Sequence, residues 1–269
     1  MNRKRRKLLL LLFFLLVFGA YYFIEKRDTA PDTGVYKVID VIDGDTVIID
    51  DAKNSRVRYI GIDTPEIALQ DTPGDPMSTE SWDFNANLVE GEKIKLEFDE
   101  EKYDVYGRIL AYVYVDDVFV NEELLKEGLA TVLIIQPNNT HSEILFNALD
   151  EAKNSKKGIW GDLSDLSPPK GNRKFEVELN KADRYEGKRI VVRGRIVDTR
   201  KSENVMVLNM EDRLDVVIFP DDWNNFQHFN IDPEKFYKGK TVEVIGRVKM
   251  RGGKPSIVVD HPMLVRSAN

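Results

Sequence analysis

The sequence contains no cysteine, and only three of its 269 residues are histidine. Lack of cysteine excludes a disulfide scaffold, a thiolate metal site and an acylated lipoprotein cysteine. Three histidines argue against a histidine-rich zinc centre. A metal bound here has to be a hard ion with oxygen ligands, and 46 aspartates and glutamates supply candidates. No internal repeat or low-complexity segment is present after the first 34 residues. The net charge of −7 is unevenly spread: residues 1–34 carry +4, 35–161 carry −14 and 170–269 carry +5. An acidic block followed by a basic one argues for two domains with different tasks.

Long apolar runs are confined to the N-terminus. Residues 3–7 read Arg-Lys-Arg-Arg-Lys, and residues 8–24 are almost entirely apolar. Positive charge ahead of such a run keeps the N-terminus in the cytoplasm and sends the downstream chain across the membrane. The run is short for a spanning helix and long for a signal-peptide core, so residues 1–27 read as a signal anchor or a signal peptide. Either way residues 28–269 are expected outside the cytoplasm, membrane-anchored or secreted, with residues 28–34 as a tether.

Apolar–polar alternation from Val35 to Asp51 turns around Asp43-Gly44, a two-residue hairpin signal. A third strand is expected at 56–62, a helix at 79–89 and further strands at 93–98 and 106–115. Asn121 reads as the cap of a helix over 122–128, and Thr140 with Glu143 as a capping box for a helix to about Lys156. The fold class is mainly β (α+β): a small sheet or barrel with three helices over residues 35–161. Residues 162–173 read as a Pro/Ser/Gly linker. Strand-like runs at 188–197, 204–209, 214–219, 240–249 and 255–259, with a helix in 221–237, have the order of an OB barrel over residues 174–269.

Four short segments carry the chemistry: Asp43-Gly44-Asp45-Thr46, Arg58 through Asp63-Thr64-Pro65-Glu66, Asp104-Val105-Tyr106-Gly107-Arg108, and Pro137-Asn138-Asn139-Thr140. Singly, each has an ordinary reading as a hairpin turn, a helix start, a strand entry or a capped turn. In this order and spacing they resemble the staphylococcal-nuclease (thermonuclease) family. The resemblance covers residues 35–161 and extends through Asn121-Glu122 to Leu129-Ala130 and to Gly158-Ile159-Trp160. It implies an OB-type β-barrel and a calcium-dependent phosphodiesterase that cuts DNA or RNA and leaves 3′-phosphate ends.

By that resemblance Asp45, Asp63 and the Thr64 carbonyl hold calcium, and Asp43 acts on it through water. Glu66 handles the attacking water, Arg58 and Arg108 bind the phosphoryl oxygens, and Tyr106 bonds a substrate phosphate. Carboxylate and carbonyl oxygens suit a hard cation, and the guanidinium fork suits phosphate. The chain departs from the family at Val105, where a lysine is common, and at Leu133 and Ile135, near which family members carry aromatic residues. An acidic catalytic block also repels a polyanion, since affinity for nucleic acid rests largely on neutralising phosphates.

The second domain carries Arg193, Arg195, Arg247, Lys249, Arg251 and Trp223, a basic and aromatic set suited to a single strand. Arg193 and Arg195 also read as solvated strand faces. No protein partner is implied. Two other readings compete with the nuclease: a catalytically idle surface protein that binds nucleic acid, and a phosphodiesterase for a smaller nucleotide.

Overall fold

The computed structural model describes residues 34–166 and 168–268. The expected targeting helix at 8–24 lies outside the described residues, among which no helix is long and apolar enough to cross a membrane. The alternation that starts at Val35 becomes β1 (Val35–Asp43), which turns at Gly44 into β2 (Thr46–Ile49). Strands β3 (Arg56–Tyr59), β5 (Lys93–Glu97) and β6 (Ile109–Val115) extend the sheet in the order β3-β2-β1-β5-β6. Parallel pairing of Val57 with Ile109 and Arg58 with Leu110 joins β3 to β6 and closes a five-stranded barrel. Between β3 and β5 the chain forms β4 (Gly61–Asp63), which leaves the barrel and pairs with β8 (Thr131–Leu133). β7 (Val118–Phe119) pairs with the end of β6.

Three helices pack on this barrel: α1 (Ser78–Val89), α2 (Val120–Lys126) and α3 (Ser142–Ser155). Two of their starts differ from expectation. Asn121 is no cap; it is fully buried inside α2, where its side chain accepts from Val113 N (3.0 Å) and donates to Ile60 O (2.8 Å). Thr140 does not cap α3 either. Its N–H and hydroxyl both donate to the Asp99 carboxylate (2.9 Å each), and α3 starts after His141 with no side-chain cap.

The second half repeats the pairing scheme. Strands β10 (Arg189–Lys201), β11 (Met206–Met210), β12 (Leu214–Ile218), β13 (Thr241–Arg251) and β14 (Lys254–Val258) pair as β12-β11-β10-β13-β14. A parallel β12–β14 contact closes the ring, as β3–β6 closes the first. Short β9 (Glu176–Val177) and β15 (Val265–Ser267) flank it. The single helix expected over 221–237 is two: α4 (Trp223–His228) and α5 (Pro233–Phe236). Asn230 takes a left-handed backbone (φ 55°) between them, and the Asp232 side chain caps the second by accepting from Glu234 N.

The barrels share one continuous core. Trp160 lies between them, with ring centroids 4.9 Å from His261 and 5.6 Å from His228. Its carbonyl accepts from His228 Nε2 (3.2 Å), and Lys153 Nζ sits over its ring at 4.3 Å. The stretch expected to be a linker is packed: Asn172 is buried and bonds to Gly74 of the first barrel.

These contacts have two measurable consequences. Asn121→Ala leaves a buried N–H and a buried C=O unpaired, so urea unfolding should show about 2–6 kcal/mol lost, at roughly 1–3 kcal/mol per buried group. His261 is fully buried, and burial first, then the charge of Lys153, lowers its pKa to about 3 from the ordinary 6.5. The unfolded chain therefore binds a proton that the folded chain refuses between those two values. The stability this contributes is complete above pH 6.5 and is lost as pH falls toward 3. Thermal melts at pH 7 and pH 4 should differ more in the wild type than in His261→Gln.

Candidate active site

The turn between β1 and β2 presents two aspartates because α1 holds it from behind. Trp82 Nε1 donates to Val41 O (2.8 Å), and Asn85 Nδ2 donates to Asp43 O (3.1 Å). Asn85 is held in turn by the buried Tyr59 hydroxyl (3.0 Å). Gly44 lies so close to α1 and to Thr64 that a Cβ there would meet Ser81 Oγ at 2.1 Å and Thr64 Cβ at 2.8 Å. Only glycine fits. Asp45 is buried, and its Oδ2 accepts from both the N–H (2.8 Å) and the hydroxyl (2.9 Å) of Thr64. Those bonds tie the first hairpin to the loop after β4.

Arg58 joins the same two segments by charge. Its Nη1 lies 2.5 Å from Asp45 Oδ2 and its Nη2 lies 2.5 Å from Asp63 Oδ1. Burial opposes its charge, yet the carboxylates of Asp45, Asp63, Asp43 and Glu66 hold its pKa above the usual value. Asp43 accepts from Asp45 N (3.0 Å), and burial followed by the Asp45 charge pushes its carboxyl up to about 7. Asp63 is pushed up as well, by desolvation and by the charges of Asp45, Asp260 and Glu66, against the pull of Arg58.

An open cleft of about 700 Å³ faces this cluster, lined among others by Arg58, Asp63, Glu66, Tyr106 and Arg108. Arg108 is oriented by Asp104, whose Oδ2 accepts from Arg108 Nε (2.6 Å) and whose Oδ1 accepts from Arg108 N (2.9 Å). The other two guanidinium nitrogens have no hydrogen-bond partner among the described residues. Tyr106 is 83% exposed beside Arg108, with the guanidinium 5.7 Å from its ring. Val105, Leu133 and Ile135 also line the cleft, so the three positions at which the chain departs from the family present aliphatic side chains to it.

Among the described residues no group of three or more histidine, cysteine or acidic side chains forms a ready ligand cage. The donor chemistry nonetheless suits an oxygen-ligated cation. Asp45 and Asp63 already converge on one positive group, and a third acid, Asp43, sits beside them with its ionisation suppressed by burial and by Asp45. More negative charge is packed here than Arg58 alone neutralises.

The second-barrel candidates are elsewhere. None of Arg193, Arg195, Arg247, Lys249, Arg251 and Trp223 lines this cleft. Arg193 lines a separate hollow of about 640 Å³ with Arg173 and Arg266. Arg195 Nε donates to Gly239 O (3.1 Å), and Arg247 Nη1 donates to Gly187 O (2.5 Å). Arg251 caps Phe219, and Lys201 caps Trp223 at 4.4 Å. Two residues that matter escaped the sequence reading: Asp104, visible in its motif but given no task, and Asp75, for which no local pattern exists.

Carboxylates gathered on one arginine, a glutamate beside them and a second arginine on the same cleft define a hydrolase of phosphate esters. The family model described as "Staphylococcal nuclease homologue" matches residues 56–162. Thermonuclease from Staphylococcus hyicus is 44% identical over 128 residues, 47% of this chain and 76% of that protein. Thermonuclease from Staphylococcus intermedius is 41% identical over 126 residues, 46% and 75% of the two chains. Endonuclease YncB from Bacillus subtilis is 43% identical over 122 residues, 44% of this chain and 58% of that protein. The chain belongs to the staphylococcal nuclease family, and it is a nuclease that hydrolyses phosphodiester bonds. Residues beyond 162, including the whole second barrel, lie outside the family model's match.

Gly44→Ala should lower cleavage by about tenfold or more, since the Asp43–Asp45 turn must move off Thr64, and should cost about 1–3 kcal/mol of stability. Steady-state cleavage and urea unfolding of the same variant measure both.

Proposed function

We propose that the chain is a calcium-dependent nuclease of the extracytoplasmic space that cuts DNA or RNA and leaves 3′-phosphate ends. The observation that carries this reading is the gathering of Arg58, Asp63, Glu66, Tyr106 and Arg108 on one cleft. Arg108, held by its Nε, offers its terminal nitrogens to a phosphoryl oxygen. Arg58 has carboxylates on one side and the cleft on the other, so it serves either as their counter-charge or as a second phosphate ligand. Glu66 orients the attacking water or takes its proton. Tyr106 donates its hydroxyl to a substrate phosphate. Asp45, Asp63 and the Thr64 carbonyl would hold calcium, with Asp43 acting through water, and the ion would supply positive charge where the phosphoryl oxygens gain negative charge.

In the same reading residues 35–161 are the catalytic domain, 162–173 the connection and 174–269 an OB-like domain that adds basic surface for the strand. Residues 1–27 direct the chain across the membrane and either anchor it or are removed. The charge contrast supports this division of work: −14 on the catalytic segment against +5 on residues 170–269.

The test is cleavage of single- and double-stranded DNA and RNA by the full chain, with calcium or with EDTA. Cleavage should require calcium, and Arg108→Ala should lower kcat by about 10²–10³, the usual loss for a group that stabilises developing charge. Cleavage in EDTA, or an Arg108→Ala variant as active as the wild type, contradicts the reading.

A further inference from the structure

Glu66 stands at the start of a loop that runs, with little regular structure, to α1. Such loops are ordinarily mobile, and mobility is costly for a group that must orient a water. This loop is tied. Glu66 N donates to Asp75 Oδ2 (3.0 Å), and Asp75 N donates back to Glu66 O (2.8 Å), so one residue engages both polar backbone groups of Glu66. The other carboxylate oxygen of the buried Asp75 is ion-paired with the guanidinium of Arg189. Arg189 opens β10 of the second barrel, where its backbone is registered against Arg247 of β13.

A second tie comes from the segment that joins the barrels. Buried Asn172 makes a reciprocal amide pair with Gly74, accepting from its N–H (3.0 Å) and donating to its carbonyl (2.7 Å). Lys174 Nζ donates to Gln70 O (3.2 Å). The loop is therefore held at Gln70, Gly74 and Asp75 by residues that lie beyond the family model's match.

Arg189 is no phosphate ligand in this arrangement. It is absent from the large cleft and lines instead a small cavity of about 160 Å³ with Glu66, Asp75 and Asp260, where Asp75 neutralises it. Nor is stability a sufficient reason for the pair. A buried ion pair is often no more stabilising than apolar residues of similar volume, whereas an ion pair fixes geometry.

We propose that Arg189 is a positioning residue which, through Asp75, fixes the backbone of Glu66, so that the second barrel is a working part of the nuclease site. The proposal rests on the reading of Glu66 as the residue that handles water. Its test is a double-mutant cycle on the full chain, with kcat and KM measured on a single-stranded oligonucleotide well below each variant's melting temperature. Arg189→Met should lower kcat by about ten- to a hundredfold, with KM within about twofold. Arg189→Lys, which keeps the charge but not the fork, should recover part of that loss. In a Glu66→Gln background, Arg189→Met should cause little further loss, because the two act through one group.

Where Arg189→Met does not fold, Arg189→Lys and Asn172→Ala carry the same cycle, each with a smaller fall in kcat. Melting temperature lowered with kcat unchanged, or losses that multiply with those of Glu66→Gln, overturn the proposal. If Glu66→Gln itself leaves kcat unchanged, the reading of Glu66 fails and the positioning role fails with it. An impaired Glu66→Gln beside an unimpaired Arg189→Met overturns the positioning role alone.

Discussion

The Arg58 guanidinium lies within 2.5 Å of two carboxylates from separate segments, Asp45 after the first hairpin turn and Asp63 at the end of β4. Without that charge, Asp45 and Asp63 would face each other with no cation between them in a partly water-excluded site. The neighbouring elements answer to this constraint. Helix α1 presses on the turn through Trp82 and Asn85, Gly44 permits the approach, and Thr64 gives two donors to Asp45. Removing Arg58 would leave buried negative charge unpaired, which is far more destabilising than losing a surface ion pair.

The same excess of negative charge links fold to function. A phosphodiester cannot approach such a cluster unless positive charge intervenes, and Arg58, Arg108 and an oxygen-ligated cation are the groups that can supply it. Arg108 is kept ready by Asp104, while Arg58 is shared between the acids and the cleft. The second barrel reaches this site through Arg189 and Asp75, and through Asn172 and Gly74.

Much of this was legible in the sequence. Hairpin chemistry at Asp43-Gly44 and the alternation around it set the first strands, and the order of five strands with helix between the third and fourth marked the second barrel. The motif from Arg58 to Glu66 and the Tyr-Gly-Arg turn do meet on one cleft. What failed was local capping logic. Asn121 and Thr140 have the right residue types for caps, but partners distant in sequence, Val113 and Ile60 for one and Asp99 for the other, took their hydrogen bonds. Asp75 and Arg189 are separated by 114 residues, a pairing that no periodicity or turn signal encodes. For the basic residues of the second barrel, composition records the charge but not the carbonyls and rings that engage several of them.

Calcium binding by the full chain, measured by titration calorimetry, tests the charge argument at its centre. One ion per chain should bind, more tightly in the presence of a phosphorothioate oligonucleotide that resists cleavage. Asp45→Asn and Asp63→Asn should each weaken it by about tenfold or more, as loss of one unit charge beside a divalent cation requires. Calcium affinity unchanged in both variants would contradict the account.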